Sequence, residues 1–192
     1  MLYLAGCAAG LIAGLLAGGS LRNLAAVRLR WPLVVIAALL VKEAGVYTPL
    51  ANLPFTPWLF AVSLAALLAW AAWHARQLPA MWLVAAGIAA NLAVVVANGG
   101  RMPAYRGTPE LFAVLQQHPI GEYVLGRSDT PLGFLGDWLA LPAPIDALFP
   151  QGYSPGDVLV FAGLVMVLFM ATRRRPTPPS RHRETPPPSP YG

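Results

Sequence analysis

Five apolar stretches, each near the length a helix needs to cross a bilayer, constrain this chain more than anything else in it. Leu2–Gly19 is an uncharged run of 18 residues, and Pro54–Trp73 and Pro79–Asn98 are uncharged runs of 20. A spanning helix takes about 20 apolar residues, and a helix suits lipid because it satisfies its own backbone hydrogen bonds. Trp31–Thr48 is a further run, interrupted by Lys42 and Glu43, and Ser154–Thr172 completes the set with Asp157 near its start. Composition agrees with the runs. Of 192 residues, 57% are hydrophobic and 11% charged, where a soluble domain carries roughly 25% charged residues. That balance leaves too little polar surface for a soluble globule and excludes a disordered chain. The expected fold is therefore all-α: a five-helix transmembrane bundle over 1–172 with an extracytoplasmic cap segment, 99–153, inside that span. The remainder, 173–192, is Pro-rich and lacks apolar periodicity, so a disordered cytoplasmic tail is expected there.

The net charge of +5 comes from 13 basic and 8 acidic residues. Its distribution reads as topology rather than as a phosphate-binding patch, so no nucleic-acid partner is expected. Arg22, Arg28, Arg30, Arg76, Arg173, Arg174, Arg175, Arg181 and Arg183 all fall on one side of the five runs. Arg101, Arg106 and Arg127 fall on the other. Basic residues mark the cytoplasmic side, which puts the N-terminus outside and the C-terminus inside. Trp31, Trp58, Trp73 and Trp82 stand near run ends, where aromatic side chains anchor helices at the interface. The single cysteine, Cys7, excludes an intrachain disulfide, and His74, His118 and His182 lack metal-ligand spacing. No metal or cofactor is expected, and the expected partners are the lipid bilayer and other membrane proteins or lipids.

Polar residues concentrate on the outer side. Asn98-Gly99-Gly100-Arg101-Met102-Pro103 closes the fourth run, with glycines suited to left-handed backbone and a proline that ends the helix. It reads as a helix C-cap, or as a polar site lined by Asn98 and Arg101. Asn91 lies seven residues before Asn98 on the same helix face, with Gly87 one turn earlier, and an Asn inside a span needs a partner. Helix-to-helix contact and site lining both fit it. Gly10, Gly14 and Gly18 suit close helix packing. Pro109–Leu125 is expected to form one amphipathic helix, and Phe134–Leu141 a short apolar segment around Asp137. Lys42 and Glu43 sit inside the second run, where ionisable residues mark a functional site or neutralise a neighbour. Asp137 and Asp157 are the candidate catalytic pair. Two carboxyls at one membrane boundary can divide acid and base roles. Asp157 also reads as a first-turn acid behind a Ser154 N-cap and Pro155.

The combination of Asn98–Pro103 after a span, Leu135-Gly136-Asp137-Trp138, and Tyr153–Asp157 opening the last span resembles a family of uncharacterised multi-pass bacterial membrane proteins. The resemblance covers about 1–172 and implies a bacterial inner-membrane location without implying an activity. Asp137-Trp138, Tyr153–Asp157 and Asn91-Leu92 also look similar to motifs of the lipoprotein signal peptidases, aspartyl proteases of bacterial membranes. This second resemblance departs from the family's pattern: Ala90 replaces a Gly, Val94 and Val95 replace an Asp-Arg, and the segment before Asp137 is longer. It implies that Asp137 and Asp157 would be the catalytic pair, with Asn91, Asn98 and Arg101 positioning substrate or the pair. Three functions stay open: a membrane protein with a polar site at its outer face, an aspartyl intramembrane peptidase-like enzyme, and a small transporter or lipid-binding module using Lys42 and Glu43.

Overall fold

Each of the five apolar runs forms a helix. In the computed structural model these are α1 (Leu2–Leu16), α3 (Pro32–Tyr47), α4 (Thr56–Ala75), α5 (Met81–Ala97) and α7 (Pro155–Arg173), with two short helices between them, α2 (Leu21–Ala25) and α6 (Pro109–Leu115). The structure describes residues 2–47, 53, 55–143, 146 and 151–173. The Pro-rich tail expected to be disordered lies beyond them, apart from Arg173, which ends α7. Two of the helices, Thr56–Ala75 and Pro155–Arg173, are long and apolar enough to cross a membrane.

Helix ends follow local chemistry. Ser20 Oγ accepts from the Asn23 N–H to cap α2, and Thr108 Oγ1 accepts from the Leu111 N–H to cap α6 behind Pro109. At the end of α5, Gly99 and Gly100 take φ of +67° and +88°. The Gly100 N–H then donates to Val95 O at 2.8 Å, closing a Schellman turn. The expected C-cap is thus present. Gly18, at φ +83°, ends α1 in the same way.

The helices pack side by side in the order α1, α7, α5, α4, α3. Glycines set the closest approaches. Gly6, Gly10 and Gly14 line the face of α1 against α7, and a Cβ on Gly6 would lie 2.9 Å from the Phe161 ring. The glycine stripe is therefore one turn nearer the N-terminus than Gly10, Gly14 and Gly18 would make it. Gly18 faces open space and serves the turn instead. Gly87 of α5 meets Gly156 of α7, and a Cβ on Gly156 would lie 2.6 Å from Gly87 O. At the far end of the row, His74 is fully buried, accepting at Nε2 from the Arg30 N–H (3.0 Å) and donating from Nδ1 to Trp70 O (2.8 Å).

The segment between α5 and α7 departs from an all-α expectation. Met102–Ala104 (β1) and Tyr123–Leu125 (β2) pair in parallel, Met102 against Tyr123 and Ala104 against Leu125. Asp137 joins the other edge of β1: its N–H donates to Pro103 O and its C=O accepts from the Tyr105 N–H, both at 2.9 Å. The amphipathic helix expected over Pro109–Leu125 stops at Leu115 instead. His118-Pro119 and Gly121, with φ +53°, break the helical backbone and turn the chain into β2. Gly133–Leu135 is a 3-10 turn, and it and β1 both pack on the end of α5. Three-residue strands are too short for a period-2 pattern to stand out in sequence.

Candidate functional site

The site is assembled where α5, α7 and this small sheet meet. Its foundation is the first turn of α7. Ser154 Oγ accepts from the Asp157 N–H (2.9 Å), and the Asp157 carboxylate accepts from the Ser154 N–H (3.1 Å). This reciprocal capping box satisfies two donors that a helix start leaves open. Asn91, buried on α5, reaches the same turn because Gly87 and Gly156 let the two helices touch. Its Nδ2 donates to Asp157 Oδ1 at 2.8 Å, and its Oδ1 accepts from the Ser154 hydroxyl at 2.7 Å. The Tyr3 hydroxyl of α1 adds a third donor to Asp157, at 2.5 Å. Asp157 is thus an acceptor at both oxygens, the pattern of an ionised carboxylate.

Asp137 has the opposite surroundings. The sheet holds its backbone, Gly152 packs flat on it, and its side chain is 6% exposed. Asp137 Oδ1 is buried and has no hydrogen-bond partner among the described residues. Loss of solvent pushes its carboxyl up to about 8, and the negative charges of Asp157 and then Glu122 act in the same direction, opposed by Lys42. The chain pairs Leu139 with Tyr153 through hydrogen bonds of 2.9 and 3.0 Å before it enters α7, which brings Asp137 and Asp157 to one end of the molecule. Asp137 Oδ1 makes no hydrogen bond to Asp157. Burial also raises the Tyr123 phenol, aided by the charges of Glu122, Asp137 and Asp157.

The remaining expected residues fall outside this knot. Asn98 Nδ2 donates to Val94 O (2.8 Å) and to Pro131 O (2.9 Å), clamping the loop before the 3-10 turn to the end of α5. Arg101 is half-buried, and its Nε is enclosed without a hydrogen-bond partner among the described residues. Lys42 finds its main partner in the cap: its Nζ lies 3.1 Å from Glu122 Oε2 and 3.6 Å from Glu43 Oε1. Burial raises the Glu122 carboxyl, and Lys42 pulls it back down. The ion pair therefore ties α3 to the turn before β2, with Glu43 as an outer, half-exposed member.

Sequence reasoning missed Tyr3, Tyr123 and Glu122 as members of the site. Tyr3 lies 154 residues from Asp157 and carries no local signal. Glu122 and Tyr123 were hidden in a segment expected to be helical. Over residues 26–169, from the α2–α3 connection into α7, the chain matches the sequence model of DUF5317, a family of unknown function. No curated protein and no solved structure matches it.

Proposed function

Since the chain belongs to DUF5317, a family of unknown function, we propose a role from its geometry: a membrane-embedded aspartyl hydrolase that cleaves a peptide bond at the outer bilayer surface. The reading rests first on membrane residence with α1, α3, α4, α5 and α7 as five crossings, N-terminus outside and C-terminus cytoplasmic, in a bacterial inner membrane. Large apolar side chains turned outward support it, among them Leu16, Leu33, Leu40 and Val62, each at least 60% exposed. Bilayer lipid would cover this surface, which a soluble domain would bury.

The observation that carries the hydrolase reading is the opposed environment of two carboxyls at one site. Asp137 is enclosed and held neutral, whereas Asp157 accepts three hydrogen bonds. Such a division assigns acid and base roles. Asp157 takes a proton from water as the water oxygen bonds to the carbonyl carbon. Asp137 donates its proton to the carbonyl oxygen. The C–N bond then breaks as Asp137 takes back a proton from one gem-diol hydroxyl, and the amine leaves with the proton that Asp157 took up, so that both carboxyls return to their starting states. Asn91 orients Asp157 through its hydrogen bond to Oδ1.

Purified full-length chain in detergent, incubated with peptides carrying one apolar span and a polar outer flank, tests this by mass spectrometry of the products. Asp137→Asn and Asp157→Asn should each lower cleavage about 10^2- to 10^4-fold. Cleavage untouched by either change, or absent from the wild type, overturns the reading. A second reading has its own support: the three donors saturate Asp157 as the third-position acid of a structural capping box. It predicts lost stability in Asp157→Asn and no cleavage by any variant.

A further inference from the structure

The outer segment carries an open groove of about 490 Å³ lined by Tyr105, Arg127, Thr130, Leu132, Phe134 and Trp138. None of these side chains belongs to the carboxylate site. Three features set the groove apart. Its apolar side chains face outward: Phe134 is 68% exposed and Trp138 46%. Leu132 is held at φ +52°, a conformation that L residues with bulky side chains rarely adopt, and this presents an apolar chain at the groove rim. Arg127 is tied down through its backbone, with its N–H on Thr130 Oγ1 (2.8 Å) and its C=O accepting from the Tyr105 hydroxyl (3.1 Å). Its guanidinium makes no ion pair or hydrogen bond among the described residues and is exposed. The framework is thus fixed while the cation is left open.

The depth of the groove follows from Asn98. That side chain bonds both the last turn of α5 and Pro131 O, so Leu132 and Phe134 stand at the level where α5 ends. For a helix that crosses a bilayer, this is the headgroup region, where exposed aromatics anchor. A free guanidinium beside exposed aromatics and a leucine complements a ligand with a negative head and an apolar body.

We propose that this groove binds an anionic phospholipid, its phosphate on Arg127 and the start of its acyl chains against Leu132, Phe134 and Trp138. The proposal rests on the membrane reading above and is independent of the hydrolase reading. Its test is tryptophan quenching in the full-length chain reconstituted in phosphatidylcholine vesicles containing a minor share of phosphatidylglycerol, with one lipid or the other brominated on its acyl chains. Subtracting the Trp138→Phe variant isolates the Trp138 signal. Per molecule, brominated phosphatidylglycerol should quench that signal about 5-fold more than brominated phosphatidylcholine, the weight of one arginine at a charged membrane surface. Arg127→Gln should remove the preference and keep the phosphatidylcholine quenching. Equal quenching by both lipids overturns the proposal, as does a preference that survives Arg127→Gln. Loss of the preference on adding inorganic phosphate makes the groove a site for the free ion and overturns the lipid assignment. If no tryptophan at all is quenched, the membrane reading fails with it; if the others are quenched and Trp138 shows no preference, only the groove assignment fails.

Discussion

Asp137 pays a stability cost that its neighbours explain. Its folded carboxyl is pushed up to about 8 by burial and by the charge of Asp157, from an ordinary value of 3.8. A carboxyl raised on folding leaves stability intact below the unfolded value and erodes it as pH climbs to the folded one. Wild-type protein should therefore lose stability between about pH 4 and pH 8, levelling off above. Asp137→Asn, an amide of the same shape that never ionises, should flatten this profile and be the more stable protein at pH 8. Thermal unfolding in detergent across that range checks it, and a wild-type profile as flat as the variant's would refute it. Read with the cleavage assay, the same substitution would stabilise the fold and abolish the activity. The sequence pointed to Asp137 and Asp157 as two carboxyls at one boundary of the expected spans, and to Asn91 because an amide inside an apolar run needs a partner. It was silent on Tyr3, whose link to Asp157 exists only once α1 lies on α7.

At the scale of elements, glycine placement decides whether the site forms. A Cβ on Gly156 would meet Gly87 O and the Asn91 side chain. Gly156→Ala must therefore push α5 from α7 at the point where Asn91 reaches Asp157. Overpacking of this kind costs about 1–3 kcal/mol, and both a lower unfolding midpoint and lost cleavage are expected. A variant with wild-type stability and activity would show that the helices have slack at this contact. All five helices were legible as apolar runs, since hydrophobic length is the strongest signal a chain carries. The strands were not. β1 and β2 owe their existence to each other and to Asp137's backbone, so nothing in either three-residue segment announces them alone.

Across the whole molecule, two expectations follow from the row of helices. The five crossings proposed above would put the termini on opposite sides. A fluorescent-protein fusion after residue 192 should therefore glow in the cytoplasm, and a cysteine placed before Leu2 should react with an impermeant reagent in intact cells. Both termini on one side would require another count of spans. The second expectation concerns the tie between α3 and the cap, Lys42 to Glu122 at 3.1 Å. Lys42→Met leaves Glu122 enclosed without its cation, and Glu122→Gln leaves Lys42 only the more distant Glu43; each should cost about 1–3 kcal/mol. The double variant should lose less than the two costs added, because neither charge remains. Additive losses in unfolding experiments would mean the two charges are not coupled. Composition made the outward apolar surface legible, and the charges inside the second apolar run signalled a partner. Which partner they chose was not legible, because Glu122 lies on a turn whose position depends on the sheet.

The place of α7 in the row has a bearing on how the chain is made. It is the last of the described helices to leave the ribosome, yet it sits between α1 and α5. Throughout synthesis, the glycine face of α1 waits without the surface it fits, and Asn91 waits without Asp157. Assembly must therefore end with an insertion into the middle of a partly built array rather than an addition at its edge. The carboxylate pair comes into being only at that step, so a chain interrupted before Pro155 would carry four of the five long helices and none of the proposed chemistry.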